Sequence, residues 1–118
     1  MQPFVVLFDG FAQAEQAIVI YGLSDPRTPQ AIRYVGQTAR PGARYEAHLL
    51  DGKRPYNNPR SRWLCSLVKA GVAPTMLLLE TVPRADKATE REQHWMDRLR
   101  AIGQADLNIA AAHWSHVR

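Results

Sequence analysis

The sequence predicts an α/β domain of the α+β kind, a small three-stranded sheet containing a β-hairpin and flanked by helices. Three observations predict it. Ala17 to Leu23 (Ala-Ile-Val-Ile-Tyr-Gly-Leu) is apolar at almost every position and rich in β-branched side chains, as in a strand buried on both faces and central in a sheet. Ile32 to Gly36 resumes a strand after Ser24-Asp25-Pro26-Arg27-Thr28-Pro29, whose prolines and polar turn formers make the pair a hairpin. Thr75 to Val82 is a third apolar strand, set between segments of helical periodicity.

The remaining elements follow in order. Phe4 to Phe8 fits a further strand closed by Asp9-Gly10, and residues 11 to 16 fit a helical turn as well as a loop. After Pro41-Gly42, Ala43, Ala47 and Leu50 supply the apolar edge of a short helix, on which Arg44 and His48 stand one turn apart and point the same way. Asp51 to Pro59 reads as a basic loop. Asn58-Pro59 then gives an N-cap and first-turn pair for a helix carrying Trp63, Leu64, Leu67 and Val68 inward, and Gly71 is placed to end it. Beyond Pro83, a helix from about Asp86 to Ile102 sets Ala88, Glu92, Trp95, Leu99 and Ile102 on one continuous face. No repeat or linker divides the chain, so residues 1–118 are read as one domain with its core at about 17–109.

Composition narrows the function classes. The 118 residues leave no room for a separate recognition domain beside a catalytic core. A single cysteine, Cys65, forms no internal disulfide and no zinc site, which fits a reducing compartment, and the apolar stretch ending at Asp9 is too short to be a signal or a spanning segment. A soluble, cytoplasmic protein with no membrane partner is therefore expected. Net charge is +4, and its distribution is uneven. Residues 33 to 62 hold seven basic side chains (Arg33, Arg40, Arg44, Lys53, Arg54, Arg60, Arg62) against two acidic ones (Glu46, Asp51), while the rest of the chain is nearly balanced. Such a stretch suits either a surface that tracks phosphates or a solvated loop.

Glu92 is the carboxylate that needs an explanation. On the apolar stripe of its helix a charge loses hydration unless a cation or several donors meet it, so it is read as a metal or substrate ligand or as the partner of an arginine such as Arg44. Trp63 and Trp95 are read as core rather than base-stacking residues. His113 and His116 lack a third ligand nearby and are read as part of an ordinary tail.

Val19-Ile20-Tyr21 followed by Tyr34-Val35-Gly36 resembles the signature of the GIY-YIG nuclease superfamily, two tripeptides on adjacent strands separated by a turn. Arg44, ten residues beyond Tyr34, and His48, four further on, resemble that family's helix-borne arginine and its companion. Glu92-Gln93-His94-Trp95-Met96 is similar to its later helix with a single metal-binding glutamate, and Asp106-Leu107-Asn108 to its leucine-asparagine element. The order of all five elements, over about residues 17 to 109, is far more specific than any one. Two departures stand out: Val19 replaces the first glycine, and Gln37 stands where some relatives carry a lysine near the phosphate, leaving that charge to Arg33 or Arg40.

The resemblance implies a mixed three-stranded sheet and a metal-dependent endonuclease hydrolysing a phosphodiester bond, with DNA favoured over RNA. It implies that Tyr21 accepts the proton of the attacking water, directly or through Tyr34 or His48, and that Arg44 grips the phosphate. Glu92 would hold one divalent cation, Mg²⁺ or alternatively Mn²⁺, and in-line attack would leave a 5′-phosphate and a 3′-hydroxyl. Gly36 and Asn108 would support the site, and Arg33, Gln37, Arg40, Lys53, Arg54, Arg60 and Arg62 would face nucleic acid. Two other readings remain open, a nucleic-acid-binding module without catalysis and a subunit of a larger complex; a homodimer is open as well.

Overall fold

In the computed structural model, which describes residues 17–54 and 57–108, the chain runs β1 (Ile18–Ser24), β2 (Ile32–Thr38), α1 (Pro41–Lys53), α2 (Pro59–Lys69), β3 (Thr75–Val82), one 3₁₀ turn (Ala85–Lys87) and α3 (Ala88–Arg100). Phe4 to Phe8, residues 11 to 16 and the tail with His113, Trp114 and His116 lie outside the described residues. The strand order is β2-β1-β3. β1 is central, as its two apolar faces require.

Both pairings are antiparallel, so the sheet is not mixed. The reason is the placement of β3, which returns from the two helices in the direction of β2 but on the far side of β1. The two strands that run the same way never touch.

Each face of the sheet has its own core. Val19, Tyr21 and Leu23 of β1 pack with Tyr45 of α1 and with Trp63, Leu64 and Leu67 of α2. Ile20 of β1, with Ile32 and Val35 of β2, packs instead against Trp95, Met96 and Leu99 of α3. Strict alternation would put Ile32 and Val35 on opposite faces. The register resolves this: Leu23 pairs with Tyr34 and Ser24 with Ile32, leaving Arg33 as an extra, bulged residue. The bulge turns Tyr34 toward α1 and α2 while Ile32 and Val35 face α3.

Local signals account for the helix ends. Asn58 caps α2 by accepting the Ser61 N–H at 2.8 Å, and Pro59 occupies the first turn. Gly71 takes a left-handed φ of +75° just past the last turn, where its N–H reaches the Val68 carbonyl at 3.0 Å.

Several sidedness expectations are corrected. α1 buries Tyr45, His48 and Gly52, while Ala43 is exposed and Leu50 is 52% exposed, because the helix turns its aromatic face rather than its alanine edge to the sheet. Residues 51 to 53, expected in a loop, form its last turn. Val68 of α2 is exposed, since Trp63, Leu64 and Leu67 already fill the contact. Ile102 lies beyond α3, is 67% exposed and contributes nothing to the stripe. No helix among the described residues is long and apolar enough to cross a membrane.

Candidate functional site

Tyr21 and Gly36 face each other across the β1–β2 pair, and the tyrosine ring lies over the glycine. A Cβ at position 36 would fall 2.5 Å from Cζ and 2.9 Å from Cε2 of Tyr21, distances that real contacts do not reach. Gly36 is therefore a spatial requirement of Tyr21. Two residues back on β2, Tyr34 projects to the same face, and from α1 His48 closes the group. The three ring centroids lie 6.4 Å (Tyr21–Tyr34), 5.7 Å (Tyr21–His48) and 5.8 Å (Tyr34–His48) apart.

The inner pair is sealed. Tyr21 and His48 each keep 2% of their surface exposed, and the Tyr21 hydroxyl lies 2.7 Å from Nε2 of His48. Burial, with Tyr34 next in weight, pushes the phenol well above its usual range against the opposing charges of Arg44 and Arg60, and Glu92 adds to the rise. His48 is pushed the other way, down to about 3, by burial and then by Arg60 and Arg44. The phenol thus keeps its proton beside a neutral imidazole, and the two share a hydrogen bond whose donor is set by the imidazole tautomer. Nδ1 has no hydrogen-bond partner among the described residues.

Tyr21 is thus a buried, proton-retaining phenol hydrogen-bonded to His48. Tyr34 is the less buried tyrosine, and Arg60 of α2 sits on it: Nη1 donates to the Tyr34 hydroxyl at 3.2 Å, and Cζ lies 5.2 Å from the ring centroid. The other terminal nitrogen of Arg60 is 3.6 Å from the Asp51 carboxylate. Sequence reasoning placed Arg60 only among the phosphate-facing cations. Its one sequence signal was the basic stretch, which does not say which arginine meets a tyrosine.

Glu92 reaches the same part of β2 from the other face. Gln37, next to Gly36 and so turned toward α3, donates from Nε2 to Glu92 Oε1 at 3.1 Å and to Thr89 Oγ1 at 3.4 Å. The alternative partner considered for Glu92, Arg44, forms no ion pair with it; the neutral amide takes that place. Burial raises the Glu92 carboxyl above its usual range, partly offset by Gln37. α3, which carries Glu92, packs on the face opposite the tyrosine core, and the Glu92 charge acts on Tyr21.

The other expected residues divide. Arg44 is exposed at the N-terminal end of α1, and its charge acts on both Tyr21 and His48. Arg40 lines the same cleft as Arg44. Arg33 is bound in a fork to Asp106 at 2.8 and 2.9 Å, and Arg62 donates to Asn57 at 2.7 Å. Lys53 and Arg54 are exposed at the far end of α1. Asn108 accepts the Val35 N–H at 2.6 Å and donates to the Val35 carbonyl at 2.7 Å, which fixes β2 beside the site. Among the described residues no three His, Cys, Asp or Glu side chains gather as a metal site.

Comparison with protein-family models, with curated proteins and with solved structures finds no match. What the chain does is therefore argued from the chemistry and geometry of these residues.

Proposed function

We propose that this chain is a metal-dependent endonuclease of the GIY-YIG kind, hydrolysing a phosphodiester bond in nucleic acid, DNA in preference to RNA, by in-line attack of water. One observation carries the reading: around the second half of β2 lie two tyrosines, a histidine and Arg60 in mutual contact, with Arg44 and Glu92 near enough for their charges to act on Tyr21. Acting as the phenolate, Tyr34 takes the proton of the attacking water and becomes the neutral phenol, with the Arg60 guanidinium beside its oxygen. Tyr21 and His48 lie against the Tyr34 ring and position it. Arg44 grips nonbridging phosphate oxygens with its planar fork.

Glu92 would hold the divalent cation, Mg²⁺ or alternatively Mn²⁺. The fit lies in its surroundings: a half-buried carboxylate with one neutral donor and no ion pair among the described residues gains from a cation that offsets lost hydration. Bound there, the ion would supply neutralisation of charge on the leaving oxygen.

The test is incubation with labelled duplex, branched and single-stranded DNA, with Mg²⁺ or EDTA. Glu92→Gln should abolish Mg²⁺-dependent cleavage and leave binding intact, and cleavage that persists removes Glu92 from the reaction. Tyr34→Phe should lower turnover by about 10²–10⁴-fold, as expected for loss of a general base, and more than Tyr21→Phe.

A second reading, a nucleic-acid-binding module without catalysis, is favoured by the sealing of Tyr21. Retention of DNA without cutting, in Mg²⁺ or Mn²⁺, decides for it. Inertness of the isolated chain would point to a subunit of a larger complex.

A further inference from the structure

In the folded chain, the basic stretch from residue 33 to 62 does not act as one surface. Arg33 is engaged by Asp106, Arg60 by Tyr34 and Asp51, and Arg62 by Asn57. Arg40 and Arg44, like Lys53, Arg54 and Arg62, have no carboxylate partner among the described residues. Arg40 and Arg44 line one cleft of about 420 Å³ between the end of β2 and the start of α1, whose other walls are Thr38, Ala39, Ala43 and Ala47. Among the described residues no acidic side chain lines it. Two uncompensated guanidiniums around a concave surface attract an anion, and the alanines leave room for a bulky polyanion to come close. The first turn of α1 carries no acid either, so the positive end of the helix adds to the same field.

Spacing makes the ligand more specific. The Arg44 N–H donates to the Arg40 carbonyl at 2.9 Å, so the two residues stand about one helical turn apart, about 6 Å along the axis. That step is comparable with the distance between successive phosphates of one extended strand. A single phosphate would engage one fork, whereas a backbone running along the helix engages both.

We propose that this cleft seats two successive phosphates of one nucleic-acid strand, Arg44 on the phosphate that is cut and Arg40 on its neighbour, as a clamp indifferent to base sequence. Only the identity of the phosphate under Arg44 rests on the nuclease reading; the clamp needs no catalysis. Recognition is by charge and spacing along the backbone, so the clamp positions the strand without reading it.

The test is anisotropy of a short fluorescein-labelled duplex in EDTA over a salt series. Arg40→Gln and Arg44→Gln should each lower the slope of log K against log salt by about one, and the double variant by about two. Arg40→Lys should restore the slope, Ala43→Glu should weaken binding further, and the control Arg27→Gln, at an arginine paired with Asp25 in the β1–β2 turn, should match the unaltered protein. An unchanged slope in Arg40→Gln, a slope that falls in Arg27→Gln instead, or no duplex binding at low salt overturns the clamp. Circular dichroism of each variant confirms that the fold is kept. Failure of the nuclease reading shows differently: the slopes behave as expected and nothing is cut in Mg²⁺. Cutting that survives beside an unchanged Arg40→Gln slope removes the clamp alone.

Discussion

Gly36 shows how one missing side chain sets a site. Its place is taken by the Tyr21 ring, so Gly36→Ala must push the ring off His48 or open the β1–β2 pair. Urea denaturation should show a loss of about 1–3 kcal/mol, the usual cost of overpacking, and a change below that range would mean the strands yield freely. His48 and Glu92 give stability opposite dependences on pH. Folded His48 stays neutral down to about 3, whereas the unfolded residue takes up a proton near 6.5. Below pH 6.5 the unfolded state binds a proton that the fold refuses, so this contribution is complete above 6.5 and falls as pH drops toward 3. Glu92 has a raised carboxyl, so the fold holds that proton longer than the unfolded chain, and stability falls as pH rises above about 4.3, the free glutamate value. Thermal denaturation across the acid range separates them: His48→Gln should flatten the acid-side loss, and Glu92→Gln should remove the opposing trend. An unaltered acid limb in His48→Gln would mean the imidazole is protonated within the fold.

At the scale of elements, β2 is an edge strand among the described residues, and a short segment satisfies its outer side. Ile32 N–H donates to Gln104 Oε1 at 2.8 Å, Ala105 N–H to the Ile32 carbonyl at 2.9 Å, and Asn108 pairs with both backbone groups of Val35. Ala105 holds a left-handed φ of 54° to do so, at a cost of about 1 kcal/mol. The segment completes the strand that carries Tyr34 and Gly36. Asn108→Ala leaves two Val35 groups without partners, and at about 1–3 kcal/mol per buried unsatisfied group equilibrium unfolding should show a loss of about 3 kcal/mol together with lower turnover. A loss under about 1 kcal/mol would mean that water takes over the pairing. On α1, inward Tyr45 and His48 face the tyrosine core while Arg44 looks outward, so one helix supplies both a sealed partner and an exposed cation.

Across the whole molecule, two cores on opposite faces of a single sheet divide the chemistry, the tyrosines and His48 on one side and Glu92 on the other, with β2 as the strand they share. Much of this was legible in the sequence. The central strand, the hairpin, and the Asn58-Pro59 start and Gly71 end of a helix follow from local patterns, because period, capping and turn chemistry act over a few neighbouring residues, while the ordered set of Tyr21, Tyr34, Arg44, His48, Glu92 and Asn108 is what the family resemblance implied. The contacts were not legible. That Arg60 meets Tyr34 across 26 residues, that Glu92 meets Gln37 across 55, and that Arg33 is tied to Asp106 across 73 depends on where distant elements come to rest. The bulge at Arg33 is the sharpest case, since one extra residue in a strand reverses every side chain beyond it. Sequence by itself determined which chemical groups are present and on which elements they ride; tertiary structure alone decided which charges are left unpaired and which tyrosine faces solvent, because register and burial are properties of the assembled sheet rather than of any segment.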